Sequence, residues 1–146
     1  MKPTLEDALL LAVCRHRGQT DKAGQPYVFH PIRAMGNLGQ DASDEEKMAA
    51  LFHDLVEDCG VSLDDLRRLG YPESVVVAVD HLTKTEEGER NYQSAIERAA
   101  RNPIALKVKI ADLTDNMDLS RIDRPSDKDL ARIEKYRRAK AFLESL

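Results

Sequence analysis

Apolar side chains recur every three to four residues along most of the chain, which is the spacing of an α-helix with one buried face. In "LEDALLLAVCRH", for example, Leu5, Leu9 and Ala12 share one side, and Thr4 precedes the segment with Asp7 three positions later, a helix-capping pattern. Similar segments, separated by short breaks at glycine and proline, predict about eight helices. The pattern therefore predicts an all-α fold.

One segment does not follow this pattern clearly. The run "ESVVVAVDHLTK" after Pro72 is rich in β-branched residues, and a short continuous apolar run fits either a buried helix or a buried strand. Because the segments on both sides are helical in pattern, we favour a helix.

The segment from 44 to 59 is predicted to be a single helix, with Ser43 as its cap and Gly60 as its stop. In an unbroken helix one face carries an imidazole and three carboxylates, those of His53, Asp54, Glu57 and Asp58. Such a face is most often the solvated side of an amphipathic helix. Here no lysine or arginine lies among positions 53–58, so the carboxylates repel one another unless a cation lies between them. The pattern indicates a divalent-metal site.

Further metal ligands are available elsewhere in the chain. In "ALKVKIADLTDNM", Asp112 and Asn116 are four residues apart and share a helix face with Lys109. His30 precedes Pro31 at a loop-to-helix junction, where a lone histidine is otherwise a hydrogen-bonded surface residue. Two histidines with two aspartates suit six-coordinate Mn²⁺ or Fe²⁺, whereas structural zinc usually takes more sulfur.

Composition and charge narrow the class of protein. A chain of 146 residues with 42% hydrophobic and 33% charged residues is typical of one globular domain, here residues 1–146. Its formal net charge of −4 gives no general attraction to nucleic acid or to an anionic membrane. No apolar run approaches the roughly 18 residues of a spanning helix, and no leader is visible, so we expect a cytoplasmic protein. Cys14 and Cys59 lack zinc-type spacing and are expected to be free, buried thiols.

These residues, in this order, resemble a known family. His30, the pair His53-Asp54 and Asp112 match the H…HD…D signature of HD-domain phosphohydrolases. The strings "YVFHP", "HDLVED", "VDHLTK" and "KIADLTDN" are similar to the hydrolase domain of RelA/SpoT-type alarmone enzymes, and this resemblance runs from about residue 8 to residue 120. With no synthetase or regulatory region attached, the chain looks most like the small single-domain alarmone hydrolases of the metazoan SpoT homologue type. The resemblance implies a compact helical bundle of the HD-domain type.

The resemblance also implies catalytic roles. In that family the matching positions bind Mn²⁺, and in this chain they are His30, His53, Asp54 and Asp112. The positions matching Glu57 and Asp58 flank the water that attacks phosphorus, and a carboxylate next to a metal site can orient or deprotonate such a water. The family reaction removes the 3′-pyrophosphate of a guanosine tetra- or pentaphosphate. The implied partner is a small nucleotide substrate, and the sequence leaves a homo-oligomer open.

Several residues match or resemble substrate contacts. Asn116 matches a substrate-contacting asparagine, and Arg132 and Tyr136, four apart in "ARIEKYRR", resemble late contacts of the small hydrolases. Lys22 and Lys109 are cations that could hold a pyrophosphate, although each is otherwise an ordinary solvated lysine.

This chain differs from the family at positions that, in the family, recognise the nucleotide base. Where the family loop has an arginine that stacks on guanine, this chain has Asp21, which cannot make a cation–π contact. The family's "HNMRT" reads "DNMDL" here, so Asp115, Asp118 and Leu119 replace a ring, an arginine and a threonine. The base is therefore open, and an adenosine alarmone such as (p)ppApp or another 3′-phosphorylated nucleotide is an alternative substrate.

Two other classes stay open. A different HD-domain enzyme, acting on nucleoside monophosphates or cyclic dinucleotides, fits the same metal ligands. A nucleotide-binding regulatory module without turnover is the third reading, although such a module has no chemical need for Glu57.

Overall fold

The computed structural model describes residues 2–146, and its regular elements are helices. The bounds of these ten helices are α1 Leu5–His16, α2 Phe29–Asn37, α3 Asp44–Phe52, α4 Leu55–Asp58, α5 Leu63–Arg68, α6 Glu73–Leu82, α7 Glu86–Arg90, α8 Tyr92–Ala100, α9 Pro103–Asn116 and α10 Asp127–Glu144. The all-α prediction is confirmed, and the ambiguous valine-rich segment is helix α6.

Polar caps fix where the helices begin. Before α1, the backbone N–H of Thr4 donates to the Asp7 carboxylate at 2.8 Å, and the Asp7 N–H donates to the Thr4 hydroxyl at 3.1 Å. Ser62 and Ser126 make the same reciprocal pair at the starts of α5 and α10. Each pair satisfies backbone donors that the first helical turn leaves free, so these starts are encoded locally.

The predicted single helix over residues 44–59 is wrong in one respect, because the chain breaks after Phe52 and restarts at Leu55. At the break, the Nδ1 atom of His53 lies 2.6 Å from the carbonyl oxygen of Ala50, an acceptor that a continuing helix would use. Asp54 then takes φ −105° and ψ −2°, away from helical values. The consequence is that His53 and Asp54 lie in a turn between two helices.

Helix α9 is the centre of the fold, packing against α2, α3, α6, α8 and α10. Small side chains allow close approach where α3, α6 and α9 meet, since Ala49, Ala50 and Ala78 are fully buried beside Val108. A larger core lies around Phe52 between α1, α3, α5 and α6. This packing fixes α2, the α3–α4 turn and the end of α9 relative to one another.

The loop before α2 is organised by its own side chains. The Asp21 carboxylate accepts hydrogen bonds from the backbone N–H groups of Ala23 and Gln25, both at 2.9 Å. Gly24 takes φ +81°, a left-handed conformation that favours glycine. The loop is thereby held as a tight turn that leads directly into α2.

Two composition-based predictions can be compared with the structure. Across residues 2–146, no helix is both long enough and apolar enough to cross a bilayer. Cys14 and Cys59 are free thiols, as predicted, but Cys14 is exposed and Cys59 half-buried, so the expectation that both are buried is wrong.

Candidate metal centre and active site

Four predicted ligand side chains meet, brought from three separate places in the chain. His30 comes from the first turn of α2, His53 and Asp54 from the α3–α4 turn, and Asp112 from α9. The Nε2 atom of His30 lies 2.8 Å from Oδ1 of Asp112 and 3.9 Å from Oδ2 of Asp54. The ligand atoms of His30, His53 and Asp54 all lie within 4.8 Å of one another. The arrangement is compact enough for one cation.

His53 provides a test of whether a metal fits this cluster. Its Nε2 atom is buried and makes no hydrogen bond within residues 2–146, although it lies 3.2 Å from an oxygen of Asp54 and 3.3 Å from one of Asp112. An unpaired buried nitrogen facing two carboxylates is costly unless a cation or proton lies between them. The mixed nitrogen and oxygen donors suit a divalent transition metal.

The charged groups of the cluster shift one another's pKa values. Burial alone would lower the pKa of His53, but the charges of Asp54 and Asp112 outweigh it and raise the pKa well above its ordinary value. Burial would likewise lower the pKa of His30, yet its contacts with Asp112 and Asp115 raise it. Burial would raise the pKa of Asp54, but the adjacent His53 lowers it to about 2. Burial would also raise the pKa of Asp112, but the charges of Lys109 and His53 lower it well below its ordinary value, so both carboxylates of the cluster are ionised at neutral pH.

Neighbouring side chains donate hydrogen bonds to the two carboxylates of the cluster. The Tyr27 hydroxyl donates to Oδ2 of Asp54 at 2.7 Å. Lys109 donates from Nζ to Oδ2 of Asp112 at 2.9 Å, and Asn116 donates to Oδ1 of the same residue at 3.1 Å. Burial lowers the pKa of Lys109, but the neighbouring Asp112 raises it above its ordinary value, so the ammonium group is charged. Predicted residues Lys109 and Asn116 thus lie directly beside the cluster.

A cavity of about 160 Å³ opens above the cluster, and we call it the histidine cavity. The residues that define it are His30, His53, Asp54, Glu57, Lys109 and Asp112. Glu57 lies on its wall, where its carboxylate accepts a hydrogen bond from the backbone N–H of Lys84 at 2.5 Å. Asp58 is exposed and does not line this cavity, although partial burial and the charge of Asp54 raise its pKa. The structure therefore separates the two acids that the sequence treats as a pair.

A second cavity of about 290 Å³ adjoins the first, and we call it the arginine cavity. The residues that define it are Asp21, Lys22, Arg33, Asp118, Arg121 and Arg132. Tyr27, His30, Asn116 and Tyr136 line both cavities. The predicted substrate contacts Lys22 and Arg132 line the arginine cavity and not the histidine cavity, while Tyr136 and Asn116 lie where the cavities meet.

Three residues at the cluster were not predicted as site residues. Tyr27 contacts Asp54, Asp115 contacts His30, and Arg33 contacts Asp115. Tyr27 lies three residues before His30 in "YVFHP", so its spacing was a usable signal. The contact between His30 and Asp115 joins positions 85 residues apart, which a single sequence does not reveal.

Sequence comparisons find relatives among bacterial alarmone proteins. The chain is 36% identical over 123 residues to a GTP pyrophosphokinase of Streptomyces coelicolor, which covers 77% of the chain and 14% of that protein. It is 31% identical over 134 residues to a guanosine-3′,5′-bis(diphosphate) 3′-pyrophosphohydrolase of Vibrio cholerae, covering 85% of the chain and 19% of that protein. It is 32% identical over 123 residues to the bifunctional (p)ppGpp synthase/hydrolase SpoT of Escherichia coli, covering 77% and 17%. The chain thus spans less than a fifth of each of these proteins. No protein-family model matches the chain.

A solved structure gives a match over nearly the whole chain. It is described as a metazoan ortholog of SpoT that hydrolyses ppGpp and plays a role in starvation responses. The TM-score is 0.81 at 26% sequence identity, and the match covers 98% of this chain and 87% of the other.

Proposed function

Because the chain is a homologue of the RelA/SpoT hydrolase domain, we propose that it is a pyrophosphohydrolase acting on a (p)ppGpp-like alarmone. It removes the 3′-pyrophosphate and releases a nucleotide with a free 3′-hydroxyl together with pyrophosphate. The observation that carries this proposal is the buried cluster of two histidines and two aspartates on the floor of the histidine cavity, in a chain that matches a ppGpp-hydrolysing protein over 98% of its length.

The resident metal in this proposal is Mn²⁺, held by His30, His53, Asp54 and Asp112. The buried, unpaired nitrogen of His53 and the ionised carboxylates supply both donor types and the negative charge that a divalent cation requires. When bound, a divalent cation offsets the charge of phosphate oxygens and makes water more acidic.

The chain's own residues position the reactants around that centre. Glu57 lies on the cavity wall as a carboxylate fixed by the Lys84 backbone, and we assign it as the base that takes a proton from the attacking water. Asp58, outside the cavity, acts only through its negative charge beside Glu57. Lys109 and Asn116, beside Asp112, face the pyrophosphate, and the positive charge of Lys109 opposes the charge that develops on its oxygens.

The remainder of the nucleotide extends into the arginine cavity, where Lys22, Arg132 and Tyr136 are available to it. Base specificity is a separate question. Asp21 uses a carboxylate oxygen to hold its own loop, and no arginine stands at that position to stack on guanine. Without that contact the base is less constrained, so (p)ppApp is a second candidate substrate.

The test is a direct comparison of substrates. The Mn²⁺-loaded protein is incubated with guanosine and adenosine 3′,5′-tetraphosphates, with nucleoside monophosphates and with a cyclic dinucleotide, and products are separated by chromatography. We expect pyrophosphate release from at least one tetraphosphate. Turnover of only the monophosphates or the cyclic dinucleotide would indicate another HD-domain hydrolase. Nucleotide binding without turnover of any compound would indicate a regulatory module and contradict the proposal.

A further inference from the structure

His30 is held at both ring nitrogens by carboxylates from α9. Its Nε2 atom faces the cluster, 2.8 Å from Asp112, whereas its Nδ1 atom points away from the cluster, 2.7 Å from Oδ2 of Asp115. Asp112 and Asp115 are three residues apart and so lie on the same side of the helix. The ring is therefore fixed between them, with one nitrogen on each side.

Asp115 is itself fixed by two arginines. Only 5% of its surface is exposed, and its Oδ1 accepts from Nε of Arg33 at 2.7 Å while its Oδ2 lies 3.2 Å from an Nη atom of the same side chain. Arg121 donates to the backbone oxygen of Asp115 at 3.0 Å and lies 3.4 Å from its Oδ1. A carboxylate bonded on both oxygens cannot rotate freely, so it offers His30 an acceptor in one orientation.

We propose that Asp115 is a positioning residue for His30, holding the imidazole so that the lone pair of Nε2 points at the metal centre. The inference rests on the proposed function, since it assumes that His30 binds a metal. An acceptor at Nδ1 keeps the proton on that nitrogen and leaves Nε2 free to coordinate. It also makes the imidazole a stronger donor. The positive charges of Arg33 and Arg121 offset the negative charge of Asp115, so this carboxylate adds no unpaired charge to the cluster.

The fold offers a matched control for this role. Asp118, three residues after Asp115, also pairs with Arg121, at 3.0 Å, but it is 46% exposed at its side chain and makes no contact with His30. Asp115→Asn and Asp118→Asn each remove one negative charge from the same end of α9. Only the first alters the partner of His30, so a difference between them reports positioning rather than general electrostatics.

The experiment measures Mn²⁺ affinity by calorimetric titration of the metal-free full chain and of each variant. We expect Asp115→Asn to weaken Mn²⁺ binding by about 10–100-fold, the usual effect of removing the partner of a metal-binding histidine. Asp118→Asn should bind as the unaltered chain does. Thermal unfolding of the metal-free proteins separates positioning from folding, because a positioning role weakens metal binding in a variant that still unfolds cooperatively.

A second variant keeps the inference testable if Asp115→Asn does not fold. Arg33→Gln leaves Asp115 in place but removes one of its two arginines, and we expect a weaker loss of Mn²⁺ affinity in the same direction. Equal Mn²⁺ affinity in the unaltered chain, Asp115→Asn and Arg33→Gln would overturn the positioning role while leaving the proposed hydrolase intact. If the unaltered chain bound no Mn²⁺, the metal assignment and this inference would both fall.

Discussion

The histidine cavity and the arginine cavity share a wall but are built differently. In the first, the charged groups are buried and come from distant parts of the chain, with the side chains of His53 and Asp112 only 4% and 6% exposed. In the second, apart from the partly buried pair of Arg33 with Asp115, arginines pair with acids three residues away, as Arg121 does with Asp118 and Arg132 with Asp129, and several of these side chains remain accessible to water.

In the proposed function, this difference separates the residues that carry out the chemistry from those that select the substrate. Buried charges held by several partners are costly to change one at a time, because each substitution leaves another group unpaired. Exposed short-range pairs contribute little to stability and can be exchanged at small cost. The departures from the family strings at Asp21, Asp115 and Asp118 line the arginine cavity, and Asp115 also contacts His30, whereas the four predicted metal ligands match the family signature.

The largest effect should follow from removing a carboxylate of the cluster. In Asp54→Ala we expect Mn²⁺ affinity to fall by more than about 100-fold, because losing a ligand should exceed the effect of losing a ligand's partner. Turnover should be lost with the metal. Bound Mn²⁺ is measured by atomic emission after gel filtration, and turnover by pyrophosphate release.

Asp80→Ala is a suitable control for that variant. Asp80 is a carboxylate on α6 that pairs with Arg98 at 3.0 Å and lines neither cavity. It should keep both metal and turnover. If Asp54→Ala kept its Mn²⁺, the proposal that the metal binds in the histidine cavity, and not in the arginine cavity, would be contradicted.

A smaller effect on turnover should distinguish Glu57 from Asp58, the two acids that follow His53 and Asp54 in the sequence. Glu57→Gln should lower turnover by about 100- to 10,000-fold, the usual contribution of a general base, with Mn²⁺ affinity unchanged. The amide can still accept the Lys84 backbone hydrogen bond, so the local structure is kept. Because Asp58 lies outside the cavity, Asp58→Asn should lower turnover less. Steady-state rates at saturating Mn²⁺ provide the measurement, and a greater loss in Asp58→Asn would show that the base is assigned to the wrong acid.

Local signals in the sequence accounted for most of the fold. The cap at Thr4 and the periodic apolar face of α1 are set by residues within one or two turns, and the structure shows them as predicted. The break at His53 was missed because helical periodicity counts side chains on a face. It does not register a side chain that bonds the backbone, as the ring of His53 does with the carbonyl of Ala50.

The cluster was predictable for a different reason. Like charges without partners on one segment indicated a cation, and the complementary donors at His30 and Asp112 carried the family's spacing. The residues that surround those ligands were harder to predict from the sequence. Asp115 was noticed only as a departure from the family string, whereas the structure places it against His30 and Arg33. Its position depends on how α2 packs on α9, which no local pattern encodes.

The smallest expected effect is on recognition of the nucleotide base, and it tests whether the base lies in the arginine cavity. Asp21→Arg places a guanidinium where the family has one, and a cation–π contact at an exposed site contributes about 0.5–1 kcal/mol. Since 1.4 kcal/mol corresponds to a tenfold change, kcat/KM for the guanosine tetraphosphate should rise by about 2–5-fold relative to Asp21→Ala.

The loop itself complicates that substitution, because the Asp21 carboxylate also accepts the backbone N–H groups of Ala23 and Gln25. Asp21→Ala removes the same acceptors without adding a cation, so it should loosen the loop and affect both nucleotides equally. The comparison that matters is therefore Asp21→Arg against Asp21→Ala. An unchanged kcat/KM in Asp21→Arg relative to Asp21→Ala would mean that the base does not lie against this loop, and that the arginine cavity holds another part of the nucleotide.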